Sequence, residues 1–200
     1  DMRAKGFLLG GTSGRTTLNG EGLQHQDGHS HLNAIAFPLV RAYDPAFAYE
    51  TTVIVLDGLK KLYQEGETAI YYISVGNDNY EMPGLPEGAE EGIKRGMYVF
   101  ENDEKATVQL LGSGVILREV IKAAQILRDE YQIHSNVWSV TSFNELARDG
   151  MAVEEYNRLH PLEDGQESWV SQQLRNTQGI VVSATDHMRA YSEQIRAYLP

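Results

Sequence analysis

The 200-residue sequence contains no cysteine. Disulfides, thiolate zinc sites and cysteine nucleophiles are excluded together. Positive charge is also scarce: 17 Lys and Arg stand against 28 Asp and Glu, a formal net charge of −11. A surface that tracks a phosphate backbone needs clustered Lys and Arg, so nucleic acid is not an expected partner. Solubility alone accounts for such a charge, and a basic protein partner would suit it equally. No apolar run reaches the roughly 18–20 residues that span a bilayer. The opening DMRAKGFLLGG lacks the apolar core of a signal peptide. No membrane is expected, and the chain reads as soluble and cytoplasmic. It starts at Asp1 rather than Met and stops at Pro200 directly after a helical pattern, so a piece of a longer chain is expected.

Hydrophobic residues make up 42% of the sequence, enough for a packed core and too many for a disordered chain. Residues 6–33 are rich in Gly, Ser, Thr, Asn and His with neither helical nor strand period, and are expected to be mostly loop. A loop of that length is either functional or a surface insertion. Asp44-Pro45 has the form of an N-cap followed by Pro at the first helical position, with Phe47, Val53, Leu56, Leu59 and Leu62 at helical spacing behind it. AIYYISV, residues 69–75, reads as a buried strand. Residues 76–105 carry Pro83 and Pro86, then patterns for a short charged helix at 87–95 and a strand at 97–100. From Ala106 strands and helices alternate: strands at 106–112, 135–141 and 179–185, and helices at 115–131, 145–148, 153–159, 169–174 and 187–198. Alternation of this kind implies an α/β fold of parallel sheets flanked by helices.

Three places could carry chemistry. Residues 20–31, GEGLQHQDGHSH, place His25, His29 and His31 among Glu21 and Asp27. Histidine exchanges protons near neutral pH, and a carboxylate beside it fixes its tautomer. The same residues could be metal ligands, or could satisfy loop backbone groups. The familiar two-histidine metal motif needs a helix, which Gly22, Gly28 and Ser30 disfavour. Second, GGTSGRTT, residues 10–17, fits neither the G-x-S-x-G nucleophile elbow nor the phosphate loop with its Lys, and reads as a tight turn. Third, Gly112-Ser113-Gly114 lies between a strand and a helix, but Leu117 stands where a dinucleotide fingerprint needs Gly. His134, His160 and His187 read as structural.

GFLLGGTSGRTTLNGEGLQHQDGHSH, RAYDPAFAYE, MPGLPEGAEEGIKRGMY, VQLLGSGVILREV and SVTSFNELARDG resemble successive blocks of one family, in order along nearly the whole chain. That family is the homodimeric, bacterial-type decarboxylating component of the pyruvate dehydrogenase complex. Its architecture is transketolase-like. The resemblance implies that residues 1–84 are the later part of the pyrimidine-binding domain. Residues 85–105 would be a linker, and 106–200 the first part of the carboxy-terminal domain.

The resemblance also implies an activity: oxidative decarboxylation of pyruvate and acetylation of the lipoyl group of dihydrolipoyl acetyltransferase, with thiamine diphosphate and Mg2+, as a homodimer. Other implied readings are a relative acting on another 2-oxo acid, a transketolase, or, for the 200 residues alone, a non-catalytic module. By the same resemblance His25 is the catalytic and substrate-binding histidine of the GEGLQH block and Glu21 its active-site glutamate. Asp27 and His31 match the substrate-contacting positions of the transketolase DGPTH block. The glutamate that activates the cofactor, and the residues that bind diphosphate and metal, lie upstream of the blocks present. An incomplete site is therefore expected, with no cofactor or metal residue assignable on this chain.

Overall fold

A computed structural model describes residues 4–11, 14–17 and 22–200. Among the described residues seven strands form two sheets. In chain order the elements are β1 (Gly6–Gly11), α1 (Ser30–Ala34), β2 (Val40–Tyr43), α2 (Ala48–Leu59), β3 (Ile70–Val75), α3 (Glu90–Arg95), β4 (Tyr98–Glu101), β5 (Val108–Gly112), α4 (Leu117–Tyr131), β6 (Ser135–Ser139), α5 (Phe143–Leu159), α6 (Trp169–Leu174), β7 (Ile180–Ala184) and α7 (Arg189–Glu193). The first sheet has the order β1-β3-β2 and the second β4-β6-β5-β7. Pairing is parallel throughout except for β4, which runs antiparallel to β6 at one edge. The expected α/β class of parallel sheets flanked by helices is what the chain adopts.

The strands carry the β-branched and aromatic residues that suit a pleated surface, and the cores form on them. Tyr43, Ile54, Leu62, Tyr71, Ile73 and Ile93 pack around the first sheet. Met97, Leu111, Trp138, Phe143, Leu146 and Tyr191 pack on one face of the second. Helix α4 turns Leu117, Val120 and Ala124, spaced three to four residues apart, onto its other face. Ala46 and Phe47, from the chain entering α2, join that last cluster beside Leu110 and Val137. The two sheets therefore share a packed seam.

Some elements differ from expectation. Residues 6–11 are strand rather than loop, in register with β3 from Gly6↔Ile70 to Gly11↔Val75. Edge placement explains the missed signal: Leu8 and Leu9 remain exposed, so no burial alternation marks the strand. Asp44-Pro45 does not open α2. The helix starts at Ala48, and its first free amides near residues 46 and 47 donate to Glu50 Oε2 at 2.5 and 3.1 Å. Residues 143–159 form one helix rather than two, continuing through the buried Gly150, which packs against the Tyr198 ring. The last expected helix is shorter, Arg189–Glu193 followed by a 3-10 turn at Arg196–Tyr198, and residues 185–188 form a non-helical strap ahead of it. Residues 85–105 contain α3, which packs on the first core, and β4, which joins the second sheet.

Candidate active site

In open α/β sheets ligands gather where the strands end at their carboxyl sides. Here the carboxyl ends of β2, β3, β5 and β7 all open on the seam. Asp44 follows β2, Ser74 is the penultimate residue of β3, Ser113 follows β5, and residues 185–188 follow β7. The Asp44 amide donates to the Thr141 carbonyl at 2.7 Å, and the Gly114 amide donates to the Asp44 carbonyl at 3.0 Å. Two bonds from the second half of the fold thus fix the Asp44 backbone.

Its carboxylate is the hub. Ser74 Oγ donates to Oδ1 at 2.6 Å, and Ser113 Oγ donates to Oδ2 at 2.9 Å. His187 Nε2 lies 3.5 Å from Oδ2. His31 Nε2 is 2.9 Å from Ser74 Oγ. Ser74 has one proton and gives it to the carboxylate, so His31 must donate from Nε2, which leaves its Nδ1 unprotonated. That Nδ1 and the Nδ1 of His187 have no hydrogen-bond partner among the described residues. The two rings meet edge to face at 4.7 Å, under Tyr191 at 5.2 and 5.1 Å.

The electrostatics follow from enclosure. Burial lowers the His31 pKa to about 4, outweighing the nearby Asp44 charge. For His187 burial also pulls downward, but the Asp44 carboxylate more than offsets it and the pKa is raised. Burial would raise Asp44; His187, His31 and Ser74 together hold it well below the usual carboxylate range. At neutral pH the cluster is a carboxylate beside one neutral imidazole, His31, and a second, His187, whose charged form that carboxylate stabilises.

The expected site residues are placed as follows. Glu21 lies outside the described residues. His25 ends a 3-10 turn, Leu23–His25, and is exposed. Asp27 accepts from the amides of His29 and Ser30 at 3.0 and 3.1 Å and from the Ser30 hydroxyl, so its carboxylate starts α1. Burial would raise its pKa, but the Ser30 bond and these amides lower it. His31 is fully enclosed. His29 is exposed and precedes α1. The three histidines read together in the sequence therefore separate: His31 points into the cluster while His25 and His29 face outward. Asp44 and His187 were missed. Asp44 looked like a helix cap, and His187 lies more than 150 residues from His31. His134 pairs with Asp103 at 2.6 Å and His160 stacks on Tyr156 at 4.1 Å, in keeping with structural roles.

One group among the described residues could hold a metal, namely His31, Asp44 and His187, whose ligand atoms lie within 4.8 Å of one another. It shares only His31 with the ligand set considered from the sequence. Two nitrogens and one oxygen do not suit Mg2+, which prefers oxygen ligands in an octahedron. The hollow lined by Pro45, Phe47, Ser74, Gly76, Asp78 and Tyr80 measures about 130 Å³, below the roughly 300 Å³ where small-molecule pockets begin. The described residues do not form a complete cradle for thiamine diphosphate and Mg2+.

Residues 1–83 match the model of the pyruvate dehydrogenase E1 component middle domain, and residues 96–198 that of the transketolase-like C-terminal domain. The chain belongs to the pyruvate dehydrogenase E1 family. It is 55% identical over 203 residues to the pyruvate dehydrogenase E1 component of Pseudomonas aeruginosa and 54% identical to that of Escherichia coli K12. In both cases the match covers all of this chain and 23% of the relative, so the chain spans about a quarter of their length. Among solved structures it resembles a transketolase from Campylobacter jejuni, with a TM-score of 0.70 at 15% identity over 96% of this chain and 26% of that one. It also resembles a split-gene transketolase solved as an inactive β4 tetramer, with a TM-score of 0.55 at 18% identity over 97% and 61%. Those likenesses establish the transketolase-like fold. Among the described residues no helix is long and apolar enough to cross a membrane.

Proposed function

We propose that the whole protein oxidatively decarboxylates pyruvate and acetylates the lipoyl group of dihydrolipoyl acetyltransferase. It uses thiamine diphosphate and Mg2+ as a cytoplasmic homodimer. The observation that carries this reading is the 55% identity, across the entire chain, to a pyruvate dehydrogenase E1 component. The cofactor and metal are held by residues other than those described, and these 200 residues alone are inactive.

Within that reaction this chain supplies His25. Its imidazole is exposed on a short turn, within reach of a substrate, whereas that of His31 is enclosed. It is therefore the histidine suited to hydrogen-bond the ketone oxygen of pyruvate and to give that oxygen a proton as negative charge develops on it. Glu21 orients or tunes His25, or helps to position the lipoyl acceptor. Asp27 and His31 hold the site: Asp27 fixes the start of α1, and α1 carries His31 into the Asp44 cluster.

The test is carbon dioxide release by the full-length protein across a panel of 2-oxo acids, with thiamine diphosphate, Mg2+ and lipoyl acceptor supplied. Preference for pyruvate by tenfold or more supports the proposal. Preference for a longer or branched 2-oxo acid, or ketose-to-aldose transfer instead, overturns it.

A further inference from the structure

Gly14 and Asp27 flank the stretch of chain that includes His25. Its ends are tied to each other, the Asp27 amide donating to the Gly14 carbonyl at 3.1 Å. Both ends are also tied to the strap that follows β7. At the far end the Met188 amide donates to the Gly28 carbonyl at 2.9 Å. At the near end Asp186 makes a denser set of bonds. The amides of Arg15 and Thr16 converge on its Oδ2 at 2.6 and 2.9 Å, and Thr16 Oγ1 donates to its Oδ1 at 2.6 Å. Arg15 Nε donates to the Asp186 carbonyl at 2.8 Å.

Two successive amides after a left-handed residue form a concave anion site. Gly14 supplies that residue, with φ +86°, and a Cβ there would lie 2.3 Å from Asp186 Oδ2. The carboxylate fills the concavity from the second sheet and is itself buried. Charge-assisted bonds to a buried carboxylate are about twice as strong as neutral ones. Asp186 touches none of His31, Asp44 or the serines of the hub through these bonds; its partners all belong to the segment that leads to His25.

We propose that Asp186 is a positioning residue. It clamps the segment bearing His25 to the carboxyl end of β7 and so sets where that imidazole meets the substrate. The proposal rests on the reading of His25 given above. A clamp of this kind acts through His25, so its loss costs nothing once His25 is gone. A residue that merely stabilises the fold costs the same in either background.

The experiment uses the full-length protein in two arms. In the kinetic arm, Asp186→Ala is expected to lower pyruvate kcat about tenfold or more, and Thr16→Val, a milder change that keeps the carboxylate, about threefold. In a His25→Ala background, Asp186→Ala is expected to cost less than about twofold. In the second arm, trypsin cleavage after the exposed Arg15, read by mass spectrometry, is expected to run about fivefold faster or more in Asp186→Ala than in wild type. Equal cost of Asp186→Ala in both backgrounds overturns the positioning role. Unchanged cleavage after Arg15 overturns the clamp. If His25→Ala alone turns over pyruvate normally, the reading of His25 falls and the positioning role with it. Faster cleavage after Arg15 would still establish the clamp, so the two failures are distinguishable.

Discussion

His31 and His187 are in ring contact and yet titrate in opposite directions. The folded pKa of His31 falls from 6.5 to about 4 because burial penalises its charged form. Between those values the unfolded chain binds a proton that the folded chain refuses, so stability rises with pH across that window. The contribution is at most about 3 kcal/mol. His187 behaves oppositely: its raised pKa means that its stabilisation is complete below about 6.5 and lost as pH rises through the folded value. The urea midpoint of the protein is therefore expected to climb from pH 4 to 6.5, and His31→Gln to flatten that climb. An unchanged climb in the variant contradicts the assignment. Asp44→Asn removes the anion facing His187 and should destabilise by about 3 kcal/mol in urea denaturation. A loss under about 0.5 kcal/mol would show that the pair contributes little. Residue types alone revealed the His-rich patch at 25–31, because clustered histidines are visible in one dimension. They did not reveal Asp44 or His187, which become partners only when β2 and β7 end at the same seam. The rule that strands deliver function at their carboxyl ends was the one signal that could have singled them out.

At the scale of elements, cap rules found helices but misjudged their starts. Asp44-Pro45 satisfies the pattern, yet the Asp44 side chain belongs to the hub, and Glu50 from inside the helix takes the free amides. Glu50 also accepts from Tyr98 Oη at 2.8 Å and Ser139 Oγ at 2.6 Å, which ties α2 to β4 and β6. A buried carboxylate in the first turn of a helix has no counterpart in amphipathic patterning. Helix α5 does follow the rule: Ser142 Oγ accepts from the Glu145 amide at 3.0 Å, and it also donates to the Ala42 carbonyl at 2.6 Å across the seam. Ser142→Ala should cost about 2 kcal/mol, since it removes a cap and leaves a buried carbonyl without its donor. Thermal denaturation checks the magnitude. Hydrogen exchange adds the location, with faster exchange expected in the first turn of α5. Unchanged exchange there would contradict the cap. Strand β1 escaped sequence reading because an edge strand with exposed Leu8 and Leu9 shows no alternation.

For the molecule as a whole, the order of sequence blocks carried the family and the α/β class. The meeting of two half-sites was not legible, because it depends on which strand ends face each other. Among the described residues the seam supplies hydrogen bonds and an enclosed carboxylate, and its hollow of about 130 Å³ is below cofactor size. Calorimetry on these 200 residues alone is thus expected to show no thiamine diphosphate binding tighter than about millimolar. Micromolar binding would contradict the incomplete site. The central claim is that this chain brings the substrate-facing histidine to a larger active site. Steady-state pyruvate decarboxylation by the full-length protein with His25→Ala tests it most directly. A fall in kcat of about a hundredfold or more is expected from loss of a positioned proton donor. A variant within about twofold of wild type would contradict the account.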